Sequence, residues 1–266
     1  MAGDARLRAL RLALLDDRRR NTAAADTKGG RKLVAEAVRF VQPDAPLGKR
    51  LAECGRRNPR NDSREFCEHS ACPVCMRRRG DQLFLKRLWP ALEEVSPSAL
   101  RWVTVLMFRA TDLDAGAIEA DRQLRRLRHI LKKFADGSPV RVWGAREVER
   151  HGGEWLFHVH MLVDLGGAEP TVLAHLLRAV WGTGERQVQV KPMLPRSHRA
   201  NVARIAQYMT KARYSSSLDG HHVWWSNEEI AAVALWRDRR SAQWHRFTFG
   251  VRMPSLSDST PRKQLQ

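Results

Sequence analysis

Apolar residues keep helical spacing in two stretches of the first third of the chain, and the pattern changes near Arg101. The leucines of residues 4 to about 20 predict an N-terminal helix, followed by a loose connection that contains Gly29 and Gly30. Residues 81 to 95, DQLFLKRLWPALEEV, predict another helix with a kink or stop near Pro90. The N-terminal third is therefore predicted to be helical and irregular.

From Arg101 onwards strand and helix patterns alternate. In chain order they are a strand (RWVTVLMF), a helix (residues 111 to 137), a hairpin (VRVWGAREVER and WLFHVHMLVDL around HGGE), a helix (EPTVLAHLLRAVWGTG), a strand (RQVQVKPM) and a helix (NVARIAQYMTKARY). The order β-α-β-β-α-β predicts an α+β, ferredoxin-like domain, with an antiparallel sheet and helices on one face. The other face of the sheet would then be free for a site.

The remaining patterns complete a division of the chain into four parts. NEEIAAVALWRDRR predicts a helix, HRFTFGV a short strand, and the sequence after it is polar. We therefore predict an N-terminal helical and linker segment (1–50), a cysteine segment with a connecting helix (51–98), the α+β domain (99–250) and a flexible tail (251–266).

Composition adds an expectation about the partner. The 266 residues include 47 Lys and Arg against 29 Asp and Glu, a formal charge of +18, and 43% are hydrophobic, enough for a core. Such an excess of positive charge favours a polyanionic partner, and nucleic acid above others. The chain contains no run of about 18 apolar residues, the length needed to cross a bilayer. Near its start, Arg and Asp residues interrupt the leucines. We therefore expect a cytoplasmic protein without a membrane partner.

All the cysteines lie within one short segment, at the spacing C-x12-C-x4-C-x2-C. In a reducing compartment this clustering favours a metal over disulfides, and the CPVC turn can supply two of the four ligands of a tetrahedral Zn²⁺. The predicted structural zinc ligands are Cys54, Cys67, Cys72 and Cys75. His69 in place of Cys67 is the alternative. Three arginines after the last cysteine would suit phosphate contacts: Arg77, Arg78 and Arg79.

Two histidines stand two residues apart in an apolar strand, EWLFHVHMLVDL. Their spacing puts His158 and His160 on one face of the sheet. A turn at residues 152–153 pairs positions whose numbers sum to 305, which sets Glu147 opposite His158 and leaves Glu149 diagonal to it. Two imidazoles and a carboxylate suit a divalent ion with open positions. Glu147, then Glu149, is the candidate third ligand.

The two tyrosines of the chain both fall in QYMTKARY. Tyr208 lies at the border of the buried stripe of its predicted helix, beside Arg204 and Lys211. A phenol oxygen can attack a phosphodiester if nearby cations support it, and Lys211 could do so. Tyr214 is a second candidate nucleophile, although the helical spacing puts it on another face.

These residues together resemble the HUH endonucleases, and within them the rolling-circle replication initiators (Rep proteins) of small bacterial plasmids. WVTVLMF (102–108) resembles the first motif strand, FHVHMLV (157–163) the His-hydrophobic-His motif and YMTK (208–211) the nucleophile motif. REVER is similar to the segment that carries an acidic residue in relatives, and CEHSACPVCMRR to a cysteine-rich segment of plasmid initiators. The resemblance covers roughly residues 54 to 215.

The resemblance implies a DNA nickase and strand transferase. His158, His160 and Glu147 would hold Mg²⁺ or Mn²⁺, Tyr208 would attack and become linked to the 5′ phosphate, and Lys211 would orient the phosphate. Single-stranded or hairpin origin DNA would be the substrate and a host helicase the partner, with Arg204 among the DNA contacts. The sequence departs from those initiators that carry a glutamate near the nucleophile.

Two other functions fit the same residues. A transposase or relaxase of a mobile element would use the same motifs on different DNA. A non-catalytic, zinc-containing nucleic-acid-binding protein would need only the positive charge and the cysteine segment, with the histidines structural and Tyr208 incidental.

Overall fold

A computed structural model describes residues 27–184, 186–193, 197–218, 221–241 and 244–251. The helix predicted for residues 4 to 20, and all but the first residue of the predicted tail, lie outside the described residues. The helices are α1 (Thr27–Val41), α2 (Pro46–Glu53), α3 (Pro73–Leu83), α4 (Trp89–Leu92), α5 (Leu113–Ala135), α6 (Pro170–Trp181), α7 (His198–Met209) and α8 (Asn227–Asp238). The strands are β1 (Leu100–Ala110), β2 (Arg141–His151), β3 (Glu154–Asp164), β4 (Val188–Pro192), β5 (Ser215–Leu218), β6 (His221–Trp224) and β7 (Arg246–Phe249).

Five of the strands form one antiparallel sheet in the order β4-β1-β3-β2-β7, and β5 pairs with β6 separately. The β2–β3 hairpin pairs His151 with Glu154 and Glu147 with His158, which confirms the predicted register. Gly152 and Gly153 have φ angles of 57° and 82°, the left-handed values that a two-residue turn requires. The α+β class and the antiparallel sheet are as predicted.

One face of the sheet packs against α5 and α6. Asp112 caps α5 by accepting hydrogen bonds from the backbone N–H groups of residues 114 and 115. Leu127 of α5 and Leu177 of α6 then bury against Val159 and Met161 of β3. This core holds β3 rigidly, since alternate side chains of the strand are fixed on the side away from the histidines.

The opposite face is half covered, which corrects the prediction that helices lie on one face only. Ile205 and Ala206 of α7 pack with Trp143 of β2 and Leu162 of β3, and side chains of residues 84–92 complete this core. Because α7 carries its own apolar stripe, it needs a second surface to bury, and the α5–α6 face is already occupied. α7 thereby comes to lie beside the histidine strand.

Helix α1 also corrects a prediction, because it runs through Gly29 and Gly30 where we expected a loose connection. Val34 and Val38 are buried in a core shared with Trp236 of α8. Each glycine costs a helix about 1 kcal/mol relative to alanine. The packing of α1 on α8 outweighs that local preference.

The expected kink near Pro90 takes the form of a π-helical stretch, Phe84–Leu88, between α3 and α4. Pro90 has no N–H to donate, and the N–H of Trp89 bonds to the carbonyl of Phe84, five residues back. The helical path continues to Leu92 instead of stopping. Among the helices of the described ranges, none has the length and apolar character needed to span a membrane.

Candidate functional site

Three side chains meet on the half-open face of the sheet: Glu147 from β2, and His158 and His160 from β3. The Nε2 atoms of both histidines lie 3.1 Å from Oε2 of Glu147. Three ligand atoms, one from each side chain, all lie within 4.8 Å of one another. The prediction that a hairpin carboxylate joins the histidine pair therefore holds for Glu147, and we call these three residues the triad.

The triad is buried, and its electrostatics favour a bound cation. Burial alone would raise the pKa of Glu147, yet the two imidazoles hold that pKa well below its usual range. Burial also lowers the pKa of His160, although Glu147 opposes this. Within the described residues, Oε1 of Glu147, Nδ1 of His158 and Nε2 of His160 are buried without a hydrogen-bond partner. Buried polar atoms without partners beside a carboxylate are places where a cation can be held.

The spacing of these atoms fits a divalent ion. Ligands at right angles around Mg²⁺, each at about 2.1 Å, lie about 3 Å apart. The two 3.1 Å separations in the triad match that value without any movement of the strands. Two His and one carboxylate leave the remaining positions open for water or substrate oxygens. The triad could hold a metal ion, and Mg²⁺ or Mn²⁺ as its occupant stays a prediction.

Strand β1 supplies two supporting residues that sequence reasoning missed. Thr104 pairs with His160 across the strands, and its Oγ1 lies 2.9 Å from Nδ1 of His160. Trp102 stacks on the same imidazole, with ring centroids 5.4 Å apart and planes 3° from parallel. Alternation along β1 could have placed both side chains on the histidine face. Together they fix the orientation of His160 and turn its Nε2 towards Glu147.

Tyr208 reaches the triad from α7. Its ring centroid is 4.7 Å from that of His160 and 5.5 Å from that of Trp102, edge-on in both cases. Burial and the negative charge of Glu147 raise the pKa of Tyr208 to about 12, while 36% of the residue stays exposed. The phenol is therefore neutral in the free protein and open to a ligand on one side.

Lys211 follows the end of α7 and is not part of it, which corrects the prediction that the helix continues to residue 214. The helix ends at Met209, and the N–H of Lys211 bonds to the carbonyl of Tyr208 at 3.2 Å, closing one further turn. Lys211 is exposed, and the surrounding protein and the charge of Arg213 lower its pKa. Arg204, also exposed, lines a cleft of about 220 Å³ with Tyr208 and Trp102.

Glu149, the second candidate ligand, lies apart from the triad. Its Oε2 accepts a hydrogen bond of 3.0 Å from Arg213, and both side chains are largely buried. The pair fixes the chain just after Lys211 to strand β2. Arg213 gave no signal in the sequence, since nothing marks which arginine of a basic chain will find a buried carboxylate.

Tyr214 lies in the core and away from the solvent. Its hydroxyl donates a 2.7 Å hydrogen bond to the carbonyl of Ala71, and its ring packs edge-on against Trp225. Burial raises its pKa. A second nucleophilic role for this tyrosine has no geometric support, because its oxygen is already committed to the cysteine segment.

The four cysteines converge as the spacing predicted. Sulfur atoms lie 3.4 Å apart between Cys54 and Cys75, and 3.6 Å apart in the pairs Cys67–Cys75 and Cys54–Cys72. Tetrahedral zinc with bonds of about 2.3 Å sets its sulfurs about 3.8 Å apart. Hydrogen bonds from the Cys67 and Cys72 thiols lower the pKa of Cys75 to about 2, so a thiolate is already favoured. This cysteine cluster could hold a metal ion, and zinc fits its donor set.

His69 is engaged elsewhere, so the geometry favours Cys67 as the fourth ligand. Nε2 of His69 lies 2.6 Å from Oδ1 of Asp238, and its Nδ1 accepts the N–H of Ala71 at 3.0 Å. His69 thus ties the cysteine segment to the end of α8.

The arginines after the cysteines contact their own segment. Arg78 lies 3.5 Å above the ring of Phe66, and Arg79 donates to the carbonyl of Glu68. Arg77 is half-buried on the same helix. Their role in binding DNA stays a prediction.

Comparison of the chain with family models, with curated proteins and with solved structures finds no match.

Proposed function

We propose that this protein is a metal-dependent, single-strand DNA endonuclease and strand transferase that acts through a covalent phosphotyrosine and initiates rolling-circle plasmid replication. One observation carries the proposal. Tyr208 stands with its ring 4.7 Å from His160, which belongs to a buried triad with the spacing of divalent-metal ligands. A tyrosine beside such a site supports phosphodiester transfer to a phenol, because a bound cation can activate the phosphate next to the attacking oxygen.

The chemistry follows from the residues in place. A divalent ion held by Glu147, His158 and His160 would neutralise charge on the scissile phosphate and on the leaving oxygen. The Tyr208 oxygen attacks the phosphorus, its proton passes to water, and the bond from phosphorus to the 3′ oxygen breaks. The 3′ oxygen takes up a proton as a free hydroxyl, and the 5′ phosphate stays on Tyr208.

The cations near Tyr208 support this step. With its pKa raised to about 12, the phenol needs positive charge nearby before it can act as a phenolate at neutral pH. The charges of Arg213 and Arg204 already act to lower that pKa. Lys211 is exposed three residues beyond Tyr208, and we assign to it the orientation of the phosphate and the stabilisation of transition-state charge. The phosphotyrosine keeps the free energy of the broken bond, so the same site can rejoin strands without ATP.

The fold and the charge are consistent with this function. The elements β1-α5-β2-β3-α6-β4, with the sheet order β4-β1-β3-β2, have the connectivity of a ferredoxin-like unit. The formal charge of +18 suits a nucleic-acid partner, through dispersed phosphate contacts. Origin DNA, single-stranded or folded as a hairpin, would be the substrate, and a host helicase would unwind the plasmid.

A cleavage assay tests the proposal directly. Single-stranded oligonucleotides carrying candidate origins are incubated with the protein and Mn²⁺, and a covalent protein–DNA adduct is sought on a denaturing gel. We expect an adduct that requires Mn²⁺ and disappears in Tyr208→Phe. Tyr214→Phe is the matched control, because it removes the only other phenol of the chain and should leave the adduct intact.

The competing functions give other results. A protein that binds origin DNA but forms no adduct would be a non-catalytic zinc-containing binding protein. Adduct formation on the ends of a mobile element, or on a transfer origin, would indicate a transposase or a relaxase. An adduct that survives Tyr208→Phe would remove the mechanism proposed here.

A further inference from the structure

Edge strand β4 presents a polar row on the same face of the sheet as the triad. Gln189 pairs with Thr104, and Lys191 pairs with Trp102, the two residues that flank His160. Val188, between Gln187 and Gln189, is buried in the core on the opposite face. Alternate residues therefore point to opposite sides, and Gln187, Gln189 and Lys191 stand along the border of the site.

The two glutamines line a cleft of about 550 Å³ next to the triad. Its wall includes Thr104, which hydrogen-bonds His160, and the half-exposed apolar side chains Leu106 and Leu156. On the other side of His160 lies the smaller cleft of about 220 Å³, with Trp102, Lys191 and Tyr208. His160 thus separates two clefts, and a strand whose scissile phosphate reaches Tyr208 would pass along both.

We propose that the larger cleft binds the base of an unpaired nucleotide adjoining the scissile phosphate, and that Gln189 reads the edge of that base. The inference rests on the proposed function and adds a residue that determines specificity. Gln189 would determine which DNA sequence is bound, whereas the triad and Tyr208 would cleave that DNA.

The lining of the cleft suits a nucleotide more than another ligand. Leu106 and Leu156 offer an apolar surface for the base, while Arg109 and Arg186 are exposed at the rim and can meet the backbone phosphates. An unpaired strand can place a base in such a cleft, because its bases are free to leave the stack.

Gln189 is the side chain best placed to select the base. The side-chain amide of Gln187 already donates to the carbonyl of Leu106, which fixes that residue as part of the wall. The Gln189 side chain is half-exposed and makes no hydrogen bond within the described residues. A free carboxamide offers a donor and an acceptor together, the pair that matches adenine.

A binding selection separates this inference from the proposed function. Tyr208→Phe protein, which should not cleave, is mixed with Mn²⁺ and a pool of single-stranded oligonucleotides randomised around the origin nick. The bound sequences are then determined. We expect one base to be enriched roughly tenfold at a single position next to the nick. Adding Gln189→Ala should abolish that enrichment while overall affinity for single strands changes little.

Two further variants make the outcome specific. Gln189→Glu keeps the acceptor and loses the donor, so the preferred base should change, towards cytosine with its amino donor. Gln42→Ala, at an exposed position at the end of α1, should leave the enrichment unchanged.

The same enrichment in Gln189→Ala as in its parent, or no enriched base in either, would overturn the inference. Failure of the proposed function would show separately, as the absence of any adduct with the wild-type chain and origin DNA.

Discussion

The cysteine cluster and the triad are both buried and able to hold a metal, yet they differ in what surrounds them. The four thiol sulfurs lie within 4.8 Å of one another, and the residues next to them bond to protein: His69 to Asp238, and Tyr214 to Ala71. The triad supplies three ligand atoms, includes buried polar atoms that have no hydrogen-bond partner within the described residues, and opens towards Tyr208. A closed site serves structure, whereas an open one can bind substrate.

The two centres are connected by helix packing. Cys72 and Cys75 are at the start of α3, and Gly80 of the same helix lies against the end of α7. A Cβ at Gly80 would come within 2.6 Å of Oγ1 of Thr210 and 3.1 Å of Cα of Gln207. The cysteine cluster therefore supports the helix that carries Tyr208 and contributes no ligand to the triad.

Removing zinc should have the largest effect on stability. We expect Cys72→Ser, or chelation of the wild-type protein, to lower the free energy of unfolding by roughly 5 kcal/mol or more, since structural zinc couples binding to folding. Metal analysis, thermal unfolding and hydrogen exchange of residues 54–80 would measure it. Mn²⁺ should still bind the chelated protein by calorimetry. A purified protein without zinc would contradict the comparison.

Removing a histidine of the triad should have the largest effect on cleavage without a comparable effect on DNA binding. His158→Ala should reduce Mn²⁺-dependent cleavage by about 10³-fold, because the loss of the metal removes several kcal/mol of transition-state stabilisation. Salt-sensitive binding of single strands should persist, because the phosphate contacts come from dispersed Lys and Arg. His129→Ala, exposed on α5, is the control. Loss of cleavage and binding together would indicate a folding role instead.

Thr104 tests whether the triad is held by its neighbours. Thr104→Val keeps the shape but removes the hydroxyl 2.9 Å from His160, and we expect Mn²⁺ affinity to fall by about 10- to 100-fold. Thr104→Ser should stay close to wild type. Equal Mn²⁺ affinity in all three proteins, by calorimetry, would show that His160 needs no such support.

Gly80 tests the connection between the two centres. Gly80→Ala should push α3 from α7 and reduce the cleavage rate by about tenfold through displacement of Tyr208, with the affinity for DNA unchanged. Gly30→Ala is the matched control, because its Cβ would meet only Pro73 at an ordinary 3.6 Å. Thr210→Ala in the Gly80→Ala background should restore part of the rate. If the rate is unaffected, the centres are independent.

The smallest effect is expected from substitution of His69, the alternative ligand to Cys67. His69→Gln should keep one equivalent of zinc and cost about 1 to 2 kcal/mol of stability, from the lost hydrogen bonds to Asp238 and Ala71. Cys67→Ser should lose zinc. The reverse result in metal analysis would restore the histidine as the ligand.

Much of the site could be predicted because its residues are close in sequence. The pairing of Glu147 with His158 needs only the two-residue glycine turn and the alternation of the strands, and both are local. The pairing of β5 with β6 was not predicted. The end of α7 was placed too late, because nothing in TKARY breaks a helix by itself.

The sequence alone determined the ligand types, the hairpin register and the cysteine spacing, since each depends on backbone periods of a few residues. Only the tertiary structure decided that α7 packs on the histidine face and brings Tyr208 against His160, that Glu149 pairs with Arg213, and that Tyr214 is buried. These contacts join residues dozens of positions apart. They depend on how whole apolar faces are shared between sheet and helices, and no local pattern specifies that.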